Sequence, residues 1–198
     1  MLQHCLERGW EMSVSVLKGL LVSTAIAASL GMSHAVAFDP AAVERLKTKP
    51  VCTGCDLSGA SMKDAYLPGA ILTNSKLTNA DLTGANLNSA NLISAQLSGA
   101  DLSGARLKYS MLSGADLQGA RLVDTQLTGA NLEGANLERA LFTRAELRGA
   151  RLRGARLSGA NLEGANLQYV ENLEATQLVG TKLCKTRMPD GQTNNSGC

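Results

Sequence analysis

Leucine recurs at every fifth position from residue 57 to residue 167, and this spacing limits the fold more than any other feature of the chain. The pattern holds in 21 of 23 cases, the exceptions being Met62 and Phe142. A step of five residues turns an α-helix by about 500° and reaches the opposite face of a flat strand, so neither element places all the leucines on one side. The chain must therefore change direction once in every five residues.

Each five-residue unit predicts a short extended segment followed by a corner. Alanine stands two residues before the leucine in 19 of 23 units, so both side chains share one side and the residue between them points outward. The fifth position is Gly in 13 units, and Asp64, Asn74, Asn79 and Asp124 add residues that tolerate positive φ. If each corner turns the chain by about a quarter circle, four units close a square coil of 20 residues with leucine inside.

The units ADLTG, ANLNS, ADLSG, ANLEG and ANLQY resemble the A(D/N)LXX motif of the pentapeptide-repeat family over residues 55–169. The resemblance implies an all-β solenoid, a right-handed quadrilateral β-helix. The flanking sequences TKPVCTGCDLSGA and LCKTRMPDGQTNNSGC are similar to those of exported cyanobacterial and thylakoid-lumen members, which bears on location more than on fold.

The first 37 residues have the features of a signal peptide. Lys18 precedes an apolar run, and the sequence AVA at residues 35–37 is typical of a cleavage site before Phe38. Glu7 and Glu11 are unusual in the leading segment of a signal peptide, so the true start of the chain is either Met1 or Met12. An uncleaved membrane anchor is the alternative, and it is disfavoured because the apolar run is too short to span a bilayer. After cleavage we expect no membrane-spanning segment.

The segments beside the repeats predict two caps. In residues 38–54, Asp39 followed by Pro40 is an N-cap signal, and AAVERLK continues as a short helix with Val43 and Leu46 on one side. In residues 170–198 the leucine spacing continues one residue out of phase, which indicates a bulge, a helical turn or a cap boundary near Val170. We expect phase-shifted repeats, a terminal cap, and coil from about Lys185.

Four cysteines remain in the mature chain, namely Cys52, Cys55, Cys184 and Cys198. In an oxidising compartment they predict two local disulfides that hold the caps, although four cysteines allow three pairings. A redox CxxC requires a helix after the motif, and here a repeat strand follows. A zinc site is disfavoured because the mature chain has no histidine and the second pair is widely spaced.

Six arginines between residues 139 and 156 resemble an anion-binding patch, but a coil of 20 residues distributes them over all four faces. Residues 20 apart become vertical neighbours, which predicts four ion pairs and one like-charged pair, Asp81/Asp101. We expect these pairs to set register and solubility. The predicted ion pairs are Asp56/Lys76, Asp101/Arg121, Asp124/Arg144 and Glu133/Arg153.

Outward apolar residues indicate a partner-binding surface on two adjacent faces. Tyr66, Tyr109 and Tyr169 fall on one face, and Ile71, Ile93 and Met111 fall on its neighbour. On the other two faces the only outward apolar residues of the repeat are Val123 and Leu141.

These features favour a non-catalytic module of the periplasm or thylakoid lumen that binds an unknown protein partner or self-associates. An enzyme is disfavoured because the mature chain has no histidine and no GK[ST] phosphate loop, and we expect neither a cofactor nor a metal. Some family members mimic DNA and act on gyrase, and that alternative requires a strongly acidic surface. The net charge of +2 and the export signal disfavour it, so we expect no nucleic-acid partner.

Overall fold

The computed structural model describes residues 40–171 and 173–198; the predicted signal peptide and Asp39 lie outside the described residues. Its regular elements are helix α1 (Pro40–Thr48), a 3-10 turn (Ala175–Leu178), and strands β1 (Thr186–Arg187) and β2 (Thr193–Asn194). Isolated parallel bridges make up most of the remaining structure. Within the described residues, no helix has the length and apolar character needed to cross a membrane.

Parallel bridges join residues 20 apart, from Val51↔Ile71 to Arg151↔Glu171, and stack the coils. The Leu57 N–H donates to the Lys76 carbonyl at 2.7 Å, and the Lys76 N–H donates to the Cys55 carbonyl at 2.8 Å. The same two bonds recur at successive units. The outward residues thus form four columns, which define face 1 (Val51 and Ile71), face 2 (Asp56 and Lys76), face 3 (Ser61 and Asp81) and face 4 (Tyr66 and Asn86).

The core consists of the inward leucines and alanines, and nearly all of these residues are at most 3% exposed. Phe142 takes a leucine position and is fully buried. Ser75, Ser110 and Thr125 take alanine positions, where their hydroxyls donate to the carbonyls of Leu72, Leu107 and Leu102. Hydroxyl groups are therefore accepted inside because each one finds a backbone acceptor.

Every corner places its fifth residue in the left-handed region, whatever the residue type. The N–H of the next alanine donates to the preceding leucine carbonyl, as Ala60 does to Leu57 at 3.1 Å, which gives a β-turn of type II character. Four non-glycine residues were predicted from the sequence to suit this conformation. The structure adds six more, with φ between 55° and 59°: Ser89, Ser94, Tyr109, Arg139, Arg144 and Tyr169.

The outward Asp and Asn residues have a backbone role that their polarity alone did not indicate. In Asp101 the Oδ1 atom accepts from the Ser103 N–H at 2.9 Å, and Oδ1 of Asn131 accepts from the Glu133 N–H at 3.0 Å. This N–H has no backbone acceptor, whereas the other N–H groups of the unit bond to the preceding or the next coil or close the corner. All ten outward Asp and Asn residues of the repeats make this bond.

Helix α1 covers the first coil. It begins at Pro40, whose missing N–H costs nothing at a first helical position. Ala42 and Leu46 are buried against the core, while Val43 is half-buried. The Lys49 N–H closes the helix on the Arg45 carbonyl at 2.8 Å.

The one-residue phase shift is absorbed on a single side of the last coil. The bridge register changes from 20 residues at Arg151↔Glu171 to 21 at Asn161↔Lys182. Between them the 3-10 turn takes the place of a strand, and Gln177 Nε2 donates to the carbonyls of Leu152 and Ala155 at 2.8 and 2.7 Å. Repeat geometry then resumes.

The prediction of coil from about Lys185 is wrong. Strands β1 and β2 form a short antiparallel pair, and the tail folds back so that the Leu183 N–H donates to the Ser196 carbonyl at 3.0 Å. Thr186 takes an inward position, and its hydroxyl donates to the Leu162 carbonyl at 2.6 Å. These bonds satisfy backbone and side-chain groups at the last coil, which the sequence pattern alone did not indicate.

Candidate interaction surface

The structure joins the cysteines as two local disulfides, Cys52–Cys55 and Cys184–Cys198. Cys52 and Cys55 occupy a leucine and an alanine position around one corner, with Cα atoms 5.4 Å apart. Cys184 lies on the last coil and Cys198 ends the tail that folds over it, with Cα atoms 4.7 Å apart. Each disulfide therefore lies at one end of the stacked coils.

Three of the four predicted ion pairs have the predicted partners. Lys76–Asp56, Arg121–Asp101 and Arg144–Asp124 have N···O distances of 3.6, 3.2 and 2.7 Å.

The fourth predicted pair, Glu133/Arg153, is wrong, because Glu133 pairs with Arg151 at 2.7 Å. A glutamate just after the leucine reaches diagonally to the outward residue of the next coil. The Glu138–Arg156 and Glu163–Lys182 pairs follow the same diagonal.

Several carboxyl groups of these columns have lowered pKa values. Hydrogen bonds from Ser58 lower the pKa of Asp56, and a hydrogen bond from Arg144 lowers that of Asp124. Burial raises the pKa of Asp101, but hydrogen bonds from Ser103 and the Arg121 charge outweigh it. Asp81 and Glu163 are lowered in the same way, by hydrogen bonds from Thr83 and Lys182. The like-charged neighbours Asp81 and Asp101 are thus both compensated by their own turns.

The exposed apolar side chains concentrate on faces 1 and 4. Six of the seven large exposed hydrophobic residues in the described part lie there, and Val179 is the seventh. Ile93 lies on face 1 as predicted from the repeat, but it is half-buried. The six residues and their exposed fractions are Val51 (57%), Tyr66 (77%), Ile71 (40%), Tyr109 (67%), Met111 (40%) and Tyr169 (60%).

Val51 was not predicted as part of this surface, but it bridges to Ile71 and extends face 1 by one coil. Its signal was available, because Val51 lies one coil of 20 residues before Ile71. The break of the Ala–Leu pattern at Pro50 and Val51 ended the count of units too early.

Tyr109 and Tyr169 occupy the edge between faces 4 and 1, three coils apart. The Tyr109 ring lies over Gly129, where an added Cβ would come within 2.6 Å of the ring. The Arg148 guanidinium lies over the Tyr169 ring, 5.1 Å from its centroid, which is cation–π geometry. Both rings are therefore supported by neighbours on the edge.

A shallow polar groove of about 560 Å³ runs along face 4 beside these tyrosines. Its charged lining consists of Lys108, Arg144, Arg148 and Arg187 with Asp124 and Glu146. A second cleft, of about 510 Å³, lies between α1 and the first coil and includes Tyr66. Among the described residues, no group of three or more His, Cys, Asp or Glu side chains is placed to hold a metal ion.

Comparison with known proteins identifies the repeat. The family model described as pentapeptide repeats matches in eight copies over residues 51–88, 85–122, 120–159 and 145–188. A search of curated protein sequences finds no match.

A solved structure gives the same relationship. The pentapeptide-repeat protein Rfr23 of the cyanobacterium Cyanothece 51142 is 30% identical, with 63% of this chain and 96% of that one covered and a TM-score of 0.58. A pentapeptide-repeat protein of the Arabidopsis thaliana thylakoid lumen is 27% identical, with coverages of 76% and 85% and a TM-score of 0.44. The fold is a right-handed quadrilateral β-helix, and the chain belongs to the pentapeptide-repeat family.

Proposed function

We propose that this protein is a non-catalytic, exported scaffold that binds another protein through faces 1 and 4 of its β-helix. The observation that carries the proposal is the concentration of six of the seven large exposed hydrophobic side chains of the described part on these two faces. Solenoids commonly bind partners through such rigid, regular surfaces.

The apolar part of face 1 is also free of charge at its outward positions. From one coil to the next these positions hold Val51, Ile71, Asn91, Met111 and Asn131. Exposed apolar area without charge is characteristic of the centre of a protein interface. Face 2 instead carries the Asp56–Lys76 pair and face 3 the Asp101–Arg121 pair, while the Asp124–Arg144 pair lies at the edge between faces 3 and 4.

Location in the periplasm or thylakoid lumen is part of the proposal. The predicted signal peptide at residues 1–37 supports export, and the two disulfides at the ends of the coils suit an oxidising compartment. Cell fractionation with an antibody against residues 38–198 tests this part. Recovery of the unprocessed chain from the cytoplasm would contradict it.

Cross-linking in the native compartment, followed by affinity capture of the processed protein, tests the binding surface. We expect the double variant Tyr109→Ser with Met111→Ser to lose at least half of the captured partner, because it removes apolar area at the centre of the surface. The matched control is Val123→Ser with Val179→Ser, which removes apolar side chains elsewhere. Equal capture by both variants would contradict a role for faces 1 and 4.

A further inference from the structure

We infer that the groove on face 4 binds an extended acidic segment of a partner protein, aligned with the axis of the β-helix. The inference rests on the proposed binding role of faces 1 and 4 and names the chemistry of one partner segment. We call this site the face-4 groove, defined by Lys108, Arg144, Arg148, Arg187, Asp124 and Glu146.

The charge of the groove carries the first step. Four basic and two acidic side chains give its lining a charge of +2, the same as that of the whole chain in a small fraction of its surface. Arg144 is neutralised by Asp124, with two hydrogen bonds of 2.7 Å. Lys108, Arg148 and Arg187 are exposed and have no ion pair with a carboxylate among the described residues. Three cations are thus available to an incoming anion.

Neutral hydrogen-bonding groups fill the space between these cations. Gln126, Asn166 and Gln168 line the same groove and present amides on two coils, on either side of the coil that carries Glu146. Glu146 lies among them, and its Oε2 accepts from Asn166 Nδ2 at 3.0 Å, which limits its effect on a bound acid. Amides and cations together suit a peptide, which offers both backbone carbonyls and side-chain carboxylates.

The spacing of the cations favours an extended peptide. In face 4 the column runs Arg106, Gln126, Glu146, Asn166, Arg187, so Lys108, Arg148 and Arg187 lie two coils apart in turn. With about 4.8 Å between coils, this interval is about 9.6 Å. A polyproline II segment advances about 9.3 Å in three residues and returns to the same side. Acidic residues at every third position therefore match the axial spacing of the three cations, all of which line the groove, although Arg187 lies two residues earlier on its strand than Lys108 and Arg148 do on theirs.

The tyrosines at the edge supply apolar contact beside the charges. Arg148 lies over the Tyr169 ring at 5.1 Å, so its guanidinium is held beside the groove. Tyr109 projects at the level of Lys108 and is 67% exposed. An extended peptide aligned with the axis would pass Tyr109 at the level of Lys108 and Tyr169 one coil before Arg187.

Fluorescence anisotropy with the processed protein, residues 38–198, tests this site. The probe is a labelled ten-residue peptide with glutamate at positions 2, 5 and 8 in a Pro- and Ala-rich background. Its comparison peptides carry glutamine at those positions, or glutamate at 2, 4 and 6. We expect the every-third glutamate peptide to bind most tightly and to weaken with salt.

The variants locate the binding. Each exposed charge pair changes affinity by a factor of roughly 1.4 to 5. Arg148→Gln with Arg187→Gln should therefore weaken binding by about fivefold, while the matched pair Arg139→Gln with Arg153→Gln, outside the groove, should change it less than twofold.

Equal losses in the two double variants, equal affinity for the glutamate isomers, or tighter binding of duplex DNA or anionic vesicles would each overturn the inference. Partner capture by faces 1 and 4 is measured separately, so a silent groove with intact capture would leave the proposed function standing.

Discussion

At the residue scale, the structure explains why two positions of the motif are restricted although both point away from the core. The fifth position is constrained by backbone conformation, since all 23 corners adopt positive φ and ten of them do so without glycine. The outward position is constrained by a donor, since Asp or Asn there accepts the one N–H that the coil leaves over. Both restrictions are local and repeat without reference to any partner.

The corner conformation predicts opposite effects of two substitutions. Arg139 has φ of 57°, and left-handed backbone costs a non-glycine residue about 1–2 kcal/mol, of which the greater flexibility of glycine returns about 0.5–1 kcal/mol. Arg139→Gly should therefore raise the free energy of unfolding by about 0.5–1 kcal/mol. Gly134→Ala should lower it, although nothing lies within 4 Å of the added Cβ. Urea unfolding measures both, and a stabilising Gly134→Ala would contradict the explanation.

The turn hydrogen bond makes a second prediction. Asn131→Ala removes the acceptor of the Glu133 N–H and should lower the free energy of unfolding by about 0.5–1.5 kcal/mol. Asn131→Asp keeps the acceptor and should restore most of it. The control Gln96→Ala changes an outward residue without this bond and should stay within about 0.5 kcal/mol of the parent. The idea fails if Gln96→Ala and Asn131→Ala cost the same in urea unfolding.

At the scale of elements, the two ends of the stack are closed by different means. Helix α1 buries Ala42 and Leu46 over the first coil, whereas the C-terminal tail pairs β2 with β1 and returns to Leu183. Each closure covers backbone groups and apolar edges that would otherwise invite stacking of a second molecule. A disulfide lies beside each closure, but the two enclose loops of different length.

Loop length predicts that the C-terminal disulfide contributes more to stability. By chain entropy, the Cys184–Cys198 loop is worth about 3 kcal/mol and the shorter Cys52–Cys55 loop about 2 kcal/mol. The double variant of Cys184 and Cys198 to Ala should therefore have the lower thermal midpoint. It should also self-associate, because the tail no longer holds the last coil closed. Calorimetry and analytical ultracentrifugation of the two double variants measure these effects; a monomer with an unchanged midpoint would argue against both.

Much of the repeat was predictable because it depends on local chemistry that recurs with a fixed period. The inward Leu–Ala pair and the four faces follow from a spacing of five, and they also place Tyr109, Met111 and Arg144 on their correct faces. Three features of the structure were not predictable from the repeat. The Glu133–Arg151 pair depends on the reach of flexible side chains, and the β1–β2 pair depends on a tail that carries no repeat. The face-4 groove likewise required side-chain positions, because its cations come from three separate coils.

At the scale of the described molecule, charge is balanced along columns rather than collected on one face. Carboxylates stand one coil from cations in the Asp56–Lys76, Asp101–Arg121 and Asp124–Arg144 pairs, which does not produce an acidic stripe there. The cations of the face-4 groove that have no ion pair among the described residues therefore lie among charges that their own partners neutralise. Specific attraction of an acidic segment requires that contrast more than it requires a high net charge.

The lowered pKa values predict acid sensitivity with a definite sign. Five carboxyl groups have folded pKa values below their ordinary ones, namely Asp56, Asp81, Asp101, Asp124 and Glu163. Their contribution to the free energy of unfolding is therefore complete above the unfolded pKa values, at about pH 4, and is lost as the pH falls through the folded values. The thermal midpoint followed by circular dichroism should stay level from pH 7 to about pH 5 and fall below about pH 4. Asp124→Asn should lower the midpoint at pH 7 and reduce the fall. A midpoint that rises as the pH drops below 4 would contradict this assignment.

The one extra residue at the 3-10 turn shows that the effect of an insertion on this fold depends on its length. An insertion or deletion of 20 residues adds or removes one coil and leaves every later side chain on the same face. A gain of five moves all later residues a quarter turn around the axis, so Arg187 would leave the face that carries Lys108 and Arg148. The single extra residue is instead taken up by the 3-10 turn, after which Lys182 and Arg187 continue the columns of Asn161 and Asn166. Such a chain can therefore lengthen by the insertion of whole coils while its binding surface keeps its orientation.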